Sequence, residues 1–227
     1  MSKDLNQLRE AIDVLDDEIL NALAKRMKLS EQVIAAKNGI AAFRPGREAA
    51  LVRQLVVKSK ADGHDLAPDV ILSVWRQIMA ASLSRQNGEL ACAVHNQVMP
   101  AAAWHMGSSL EATVDDKIAP LIGAVAAGQC RYALVPADHR HYRDLLACLD
   151  LHHHLKIIAR TPLYDMRSLR QAFIIADYLP DPSGDDISLY AVRKARGFDL
   201  IGIEGHYELS PPSNVPSDAR LIGAYAR

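Results

Sequence analysis

Residues 5–36 read LNQLREAIDVLDDEILNALAKRMKLSEQVIAA, and this stretch decides the fold of the first part of the chain. Its apolar residues recur at alternating spacings of three and four, and no glycine or proline occurs before Gly39. This spacing predicts one amphipathic helix with a continuous apolar stripe. About 33 residues at about 1.5 Å each give a rod of roughly 50 Å. The stripe consists of Leu5, Leu8, Ile12, Leu15, Ile19, Ala22, Leu29, Val33 and Ala36.

Two shorter helices are expected after this rod. Because proline suits the first turn of a helix, the second helix should begin near Arg44-Pro45-Gly46-Arg47-Glu48 and the third after Leu66-Ala67-Pro68-Asp69. These two helices are too short to cover the rod. We therefore expect the rod to pack against a second copy of itself, as long helices with sustained heptads do.

The composition of the chain changes near Asn87-Gly88, where the pattern of the third helix stops at a glycine. Residues 1–88 hold two aromatic residues and one histidine, whereas residues 89–227 hold ten and eight. We predict an all-α domain at 1–88 and an α/β region at 89–227. The strand-like runs in the second part are Tyr132–Val135, Phe173–Ala176 and Ile187–Val192.

Composition and charge exclude several classes of function. The chain has 227 residues, 49% of them apolar, and a formal net charge of −1, so neither nucleic acid nor an acidic membrane is an expected partner. No apolar run approaches the roughly 18 residues of a membrane span, and the charged N-terminus does not resemble a secretory signal. Three widely spaced cysteines favour reduced thiols in a cytoplasmic protein. Consecutive histidines at His152, His153 and His154 point in different directions, so we expect no metal site there.

One position on the apolar stripe carries a cation. Arg26 occupies a line on the helix that is otherwise apolar, and Arg9 and Lys37 flank the same stripe. An unpaired buried cation is costly, so it requires an anion. In one interpretation Arg26 reaches solvent or pairs with a carboxylate such as Asp16 or Glu31. In the other, the three cations face an internal pocket that takes an anionic ligand.

Polar groups also continue the inner faces of the two shorter helices. Glu48 shares a face with Leu51 and Leu55, although the helix dipole also favours a glutamate in a first turn. Ser82 and Gln86 extend the apolar face of the third helix, although the fraying end of a helix would explain them as well. With the cations, these groups suit a small dianion, because guanidinium forks bind carboxylates bidentately. They include no nucleophile–base pair and no metal-ligand cluster.

The same residues carry a family resemblance. In order and spacing, the helical part over about residues 5–88 closely resembles the all-helical (AroQ-type) chorismate mutases. This resemblance implies an intertwined homodimer of three-helix protomers that rearranges chorismate to prephenate, an isomerase step of phenylalanine and tyrosine biosynthesis, without a cofactor. The matching motifs are Leu8-Arg9-Glu10, Ile12, Leu15-Asp16, Ile19, Ala24-Lys25-Arg26, Ala36-Lys37, Arg44-Pro45-Gly46-Arg47-Glu48 and Ile78, Ser82, Gln86.

The resemblance also implies roles for single residues. Arg26, with the partner's Arg9, would clamp the two substrate carboxylates. Lys37 and Gln86 would donate hydrogen bonds to the ether oxygen, where negative charge develops as the C–O bond breaks. A neutral glutamine at this place implies a rate that depends only weakly on pH near neutrality.

The hydroxyl end of the substrate is assigned in the same way. Glu48 would accept from the substrate hydroxyl, Arg47 would support the hydroxyl and carboxylate region, and Ser82 would assist a carboxylate. This sequence departs from some family members at Arg44, which stands where they carry an acidic hydroxyl-binding residue.

Fragments of the second part resemble prephenate dehydratase. Residues 124–136 resemble its helix–strand segment ending in Val-Pro, and residues 171–175 resemble the region of its Thr-Arg-Phe motif. The Thr and Arg of that motif correspond to Gln171 and Ala172, and Ala137-Asp138-His139 replaces a polar Glu-Asn-Ser run. We therefore expect a degenerate, truncated region at 89–227 without dehydratase activity.

Two other functions remain compatible with the helical part. A related lyase on the same bundle would release pyruvate from isochorismate, since both reactions are pericyclic and need the same clamps. A regulatory or interaction protein could keep the fold without activity, although retention of all seven polar positions argues against this alternative.

Overall fold

The described residues up to Asn87 fold as three helices, which confirms the pattern read from the sequence. The computed structural model describes residues 4–36, 43–87, 90–107, 110–195, 197–207 and 212–227. In it α1 spans Leu5–Ala36, α2 spans Pro45–Ala61 and α3 spans Pro68–Asn87. Each of the two shorter helices opens on a proline, whose missing N–H leaves no helical hydrogen bond unmade at that position.

The chain after α3 forms mixed α/β structure, which confirms the predicted fold class of this part. The three strand-like runs of the sequence fall within the third, fifth and sixth strands. The strands are β1 (Leu90–His95), β2 (Leu110–Asp115), β3 (Tyr132–Pro136), β4 (Lys156–Thr161), β5 (Ala172–Ala176), β6 (Asp186–Lys194), β7 (Gly197–Glu204) and β8 (Arg220–Ala226), and the helices are α4 (Met99–Met106), α5 (Ile118–Ala126) and α6 (His139–Leu151).

The described strands form one sheet in the order β2-β1-β3-β5-β4-β8-β6-β7. β1 pairs in parallel with both β2 and β3, while β5 runs antiparallel between β3 and β4. Pro136 at the end of β3 lies opposite Ala172 at the start of β5. The two chain segments that differ from the dehydratase motifs therefore lie side by side at one end of these two central strands.

The helical part and the sheet share a hydrophobic core. α5 and α6 cover one face of the sheet, and α4 covers the other together with Phe43 and Leu83 from the helical part. The Phe43 ring is fully buried and packs edge-on against Tyr132 and His105, with centroid distances of 5.6 and 5.5 Å. The α/β region thus packs directly on the segments that flank α2 and α3.

The long helix α1 is the least covered element of the single chain. Its apolar stripe is largely exposed, with Leu15 56% and Ile19 57% accessible to solvent. Within the described ranges no helix is both long and apolar enough to cross a membrane. The thiols of Cys92, Cys130 and Cys148 are buried and unpaired.

Candidate active site

A cavity of about 460 Å³ lies between the three helices of the first part. α1 contributes one wall, the first turns of α2 a second, and the last turns of α3 a third. This arrangement follows from the sequence, because the inner faces of the helices change from apolar to polar at these positions. Its lining residues are Arg26, Leu29, Ser30, Val33, Arg44, Arg47, Glu48, Leu51, Met79, Ser82 and Leu83.

Arg26 is fixed at the wall of this cavity. Its Nη1 donates to the hydroxyl of Ser82 at 2.7 Å, and the Ser82 hydroxyl in turn donates to the Ile78 carbonyl at 2.9 Å. Burial lowers the pKa of the Arg26 guanidinium, and the Glu48 carboxylate opposes part of this shift. An arginine stays protonated under such conditions. Among the described residues, Arg26 forms no ion pair with Glu31, which accepts instead from Arg85 at 2.6 Å.

Glu48 is held by a buried arginine that the sequence analysis missed. Arg76 on α3 is only 3% exposed, and its Nη1 donates to Glu48 Oε2 at 2.5 Å. The apolar stripe that the sequence predicts on α3 consists of Ile71, Val74, Trp75 and Ile78 and does not include Arg76, so periodicity assigns Arg76 to solvent. The α/β region covers this other face of the helix, and that packing carries no signal in local spacing.

The first turn of α2 is tied to the α/β region. Asp181 accepts from the backbone N–H of Gly46 at 3.1 Å and of Arg47 at 2.9 Å. The same carboxylate forms an ion pair with Arg44 Nη2 at 3.2 Å. Asp181 lies 135 residues from Gly46 in the chain, and no sequence pattern points to it.

Four of the seven predicted site residues come together around the cavity, namely Arg26, Arg47, Glu48 and Ser82. Arg9 is exposed on α1 and does not belong to the lining residues of the single chain. Lys37 lies outside the described residues. Gln86 lies in the last turn of α3, and its side chain is outside the described part.

Two of the four charged side chains described at the cavity wall form no ion pair. Arg44 is paired with Asp181 and Glu48 with Arg76. Among the described residues, neither Arg26 nor Arg47 has an ion-pair partner. Two such groups complement a small ligand with two carboxylates.

Comparison with known families agrees with this geometry. Residues 8–87 match the family model for chorismate mutase type II. This match covers α1 from Leu8 onward, all of α2 and α3, and every described residue of the cavity wall. The sequence resemblance to chorismate mutases is therefore confirmed for this segment.

Two curated relatives match the same part of the chain. The T-protein of Enterobacter agglomerans is 32% identical over 89 residues, which is 38% of this chain and 23% of the relative. The T-protein of Haemophilus influenzae is 32% identical over 85 residues, which is 37% of this chain and 22% of the relative. The matched segment thus spans less than a quarter of either T-protein.

Two solved structures share a distant likeness with the chain. One is described as GqqA, a novel type of quorum quenching acylases, with a TM-score of 0.44, 15% identity, and coverage of 62% of this chain and 96% of that one. The other is prephenate dehydratase from Streptococcus mutans, with a TM-score of 0.36, 14% identity, and coverage of 60% and 98%.

A second polar cluster lies beside the end of the central strand β3, where the neighbouring strand β5 begins. Asp138 accepts from His141 Nδ1 at 2.8 Å and from Arg170, and Arg170 also donates to Gln97. The Asp138 carboxylate has a lowered pKa because of the hydrogen bonds from Arg170 and His141, which outweigh the opposing effect of burial. Across the described ranges, no group of three or more His, Cys, Asp or Glu side chains is placed to hold a metal ion.

Proposed function

We propose that this protein is a chorismate mutase, an isomerase that rearranges chorismate to prephenate. The observation that carries the proposal is the Arg26 guanidinium, held by Ser82 at 2.7 Å in the wall of the cavity. The family match over residues 8–87 supports the same reaction. Arg26 would bind one carboxylate of the substrate dianion in this cavity, and the partner's Arg9 would supply the second guanidinium group.

The reaction is concerted within one molecule and requires no nucleophile, proton transfer or cofactor. The protein would accelerate it by holding the folded conformer and by stabilising charge on the breaking ether bond. Arg26 and the partner's Arg9 would bind the carboxylates, while Lys37 and Gln86 would donate to the ether oxygen. Ser82 would assist one carboxylate.

Glu48 would bind the substrate hydroxyl. Its Oε2 accepts from Arg76, and Glu48 lines the cavity, where Oε1 would accept from the substrate hydroxyl. Arg47 would support the same end of the substrate from the first turn of α2. The contact with Arg76 would hold this carboxylate in place as it accepts from the substrate hydroxyl.

We propose that two chains form the active dimer through α1. The exposed apolar stripe of this helix supports a helical partner with the same stripe, and a second copy supplies one. A mass of twice the 24.9 kDa chain is expected in solution. Replacement of Leu15 by glutamate should yield monomers, whereas Leu151→Glu, on an exposed residue of α6, should leave the mass unchanged.

We propose a division of the chain at residues 88 and 89 and no dehydratase activity for the α/β region. Gln171 and Ala172 replace the threonine and arginine of the dehydratase motif. Asp138, at the adjoining end of β3, is engaged by Arg170 and His141. Cytoplasmic biosynthesis of aromatic amino acids is the setting that this assignment implies.

The proposal is tested by incubating the purified chain with chorismate and, separately, with isochorismate. We expect prephenate from chorismate, detected as phenylpyruvate after acid treatment. Pyruvate and salicylate from isochorismate, without prephenate from chorismate, would support the lyase alternative. No product from either substrate would favour a non-catalytic role.

A further inference from the structure

We infer that Asp181 of the α/β region is a positioning residue for the cavity of the helical part. Its carboxylate caps α2, the helix whose first turn carries Arg47 and Glu48. This inference rests on the proposed function and concerns what residues 89–227 contribute to it.

The cap is supplied across the chain and not by the helix itself. The first N–H groups of a helix have no partner within the helix, and a carboxylate near them is favoured by hydrogen bonding and by the helix dipole. Arg44 stands at the capping position of α2 and makes no side-chain cap. Asp181 takes over this role, with Oδ1 accepting from Gly46 at 3.1 Å and Oδ2 from Arg47 at 2.9 Å.

The backbone of the two parts approaches closely at this point. A Cβ atom on Gly46 would lie 2.0 Å from the Asp181 carbonyl oxygen, so no side chain fits at position 46 without displacement of one segment. Tyr178 donates to the Phe43 carbonyl at 3.1 Å just before the helix begins. Residues of the α/β region therefore bind the backbone both before Gly46, at Phe43, and after it, at Arg47.

A second attachment keeps α2 docked independently of the cap. Arg53 donates to the carbonyl oxygens of Ser183 at 2.9 Å, Asp185 at 3.2 Å and Arg227 at 2.7 Å. These contacts lie about two turns further along the helix. Loss of the Asp181 carboxylate should therefore disturb the first turn without releasing the whole helix.

Asp181 also sets the charge that a ligand meets. It pairs with Arg44, a lining residue of the cavity, whereas Arg26 and Arg47 form no ion pair among the described residues. Removal of Asp181 would free Arg44 to compete for a substrate carboxylate and would loosen the backbone of Arg47. Both changes act on substrate binding, so KM should change more than kcat.

The test compares Asp181→Ala and Asp181→Asn with Asp185→Asn in the full chain. Asp185 pairs with Arg227 at 3.0 Å and with Arg53 on α2 at 4.0 Å, but it does not touch the first turn of that helix. We expect the KM for chorismate to rise about fivefold or more in Asp181→Ala and less in Asp181→Asn, which keeps one acceptor. The kcat should stay within about threefold, and Asp185→Asn should match the wild type.

Two further measurements separate positioning from a loss of fold. Hydrogen exchange of the peptide covering residues 44–48 should be faster in Asp181→Ala while exchange in the sheet strands is unchanged. In a double-mutant cycle with Arg44→Gln, the effects of the two substitutions on KM should not add, because the residues share one ion pair.

The inference is wrong if the wild type converts chorismate and both Asp181 variants keep its KM, or if exchange at residues 44–48 is unchanged. A wild-type chain that does not convert chorismate would contradict the proposed function instead. The exchange measurement needs no turnover, so it still decides whether Asp181 orders the first turn of α2.

Discussion

Arg26 on α1 donates to Ser82 on α3 at 2.7 Å, and this bond joins two helices across 56 residues of chain. It explains why a cation interrupts an apolar stripe. The guanidinium is directed into a cavity between the helices, where burial strengthens its interaction with an anionic ligand. The hydrogen bond to Ser82 restricts the orientation of the Arg26 guanidinium before a ligand binds. The side chain therefore loses less conformational entropy on binding.

Ser82→Ala should loosen this arrangement. We expect kcat/KM for chorismate to fall by about three- to tenfold, because Arg26 stays in the cavity but loses its fixed orientation. Ser84→Ala on the same helix is the matched control, since Ser84 is outside the cavity wall. Equal kinetics for the Ser82 and Ser84 variants would show that the bond to Arg26 does not matter for the reaction.

The Glu48–Arg76 pair should contribute to stability as well as to binding. Glu48→Gln leaves the Arg76 guanidinium buried without its ionic partner, and loss of one partner of a buried pair costs about 3–5 kcal/mol of unfolding free energy. Urea unfolding measures this loss. The matched control is Arg85→Met, which breaks the exposed pair with Glu31 and should cost less than about 1 kcal/mol.

A double variant separates the two roles of Glu48. Glu48→Gln combined with Arg76→Met removes both charges and should recover most of the lost stability, because no buried charge is left unpaired. Turnover of chorismate should recover less than stability, since the amide oxygen is a weaker acceptor for the substrate hydroxyl than the carboxylate. Recovery of both stability and activity would rule out a substrate contact by Glu48.

The proposed ether-oxygen donors predict a pH dependence that can be changed by design. The rate of the wild type should vary little around neutral pH, because Gln86 donates without titrating. In Gln86→Glu the rate should fall steeply above mildly acidic pH, where the new carboxyl group ionises and can no longer donate. A rate profile of the same shape in both proteins would remove Gln86 from the site.

Lys37→Ala tests the second donor. A group that acts mainly on the transition state affects turnover more than substrate binding, and we expect a loss of about 10²-fold or more in kcat. Lys58→Ala, on an exposed residue of α2 away from the cavity, serves as the control. A kcat equal to that of the control would exclude a catalytic role for Lys37.

His105 should make the folded chain less stable in mild acid. Its ring is buried and contacts Thr161 Oγ1 at 2.8 Å; burial, followed by the charge of Arg76, lowers its pKa well below the ordinary value. The unfolded chain binds a proton at this residue as the pH falls through about 6.5, while the folded chain does not. The free energy of unfolding should therefore fall with pH by up to about 1.4 kcal/mol per unit.

The variant His105→Phe keeps an aromatic ring beside Phe43 and removes the titrating group. Its unfolding free energy should change less than that of the wild type between pH 6.5 and about pH 5. A constant difference between the two proteins over this range would mean that His105 titrates equally in the folded and unfolded chains.

The helical part could be predicted from the sequence because its information is local. Heptad spacing sets α1, prolines mark the starts of α2 and α3, and a charged residue on an apolar stripe identifies Arg26. The sequence also predicts the strands around residues 132, 173 and 187, because each is an apolar run between turns. These features depend on residues a few positions apart.

The partners supplied by tertiary packing could not be predicted in this way. Arg76 is on a face of α3 that looks solvated until the α/β region covers it, and Asp181 reaches Gly46 across 135 residues. Neither contact follows from helix period or turn chemistry. For this reason the sequence assigns Glu48 and Arg47 to the site but misses the residues that hold them.

The most direct test of the central claim is kcat/KM for chorismate in Arg26→Ala, measured beside the wild type and Arg143→Ala, an exposed arginine on α6. We predict prephenate formation by the wild type and by Arg143→Ala at equal rates. Arg26→Ala should lose about 10²-fold or more while unfolding at a similar urea concentration. Wild-type turnover in Arg26→Ala, or no prephenate from the wild type, would contradict the account.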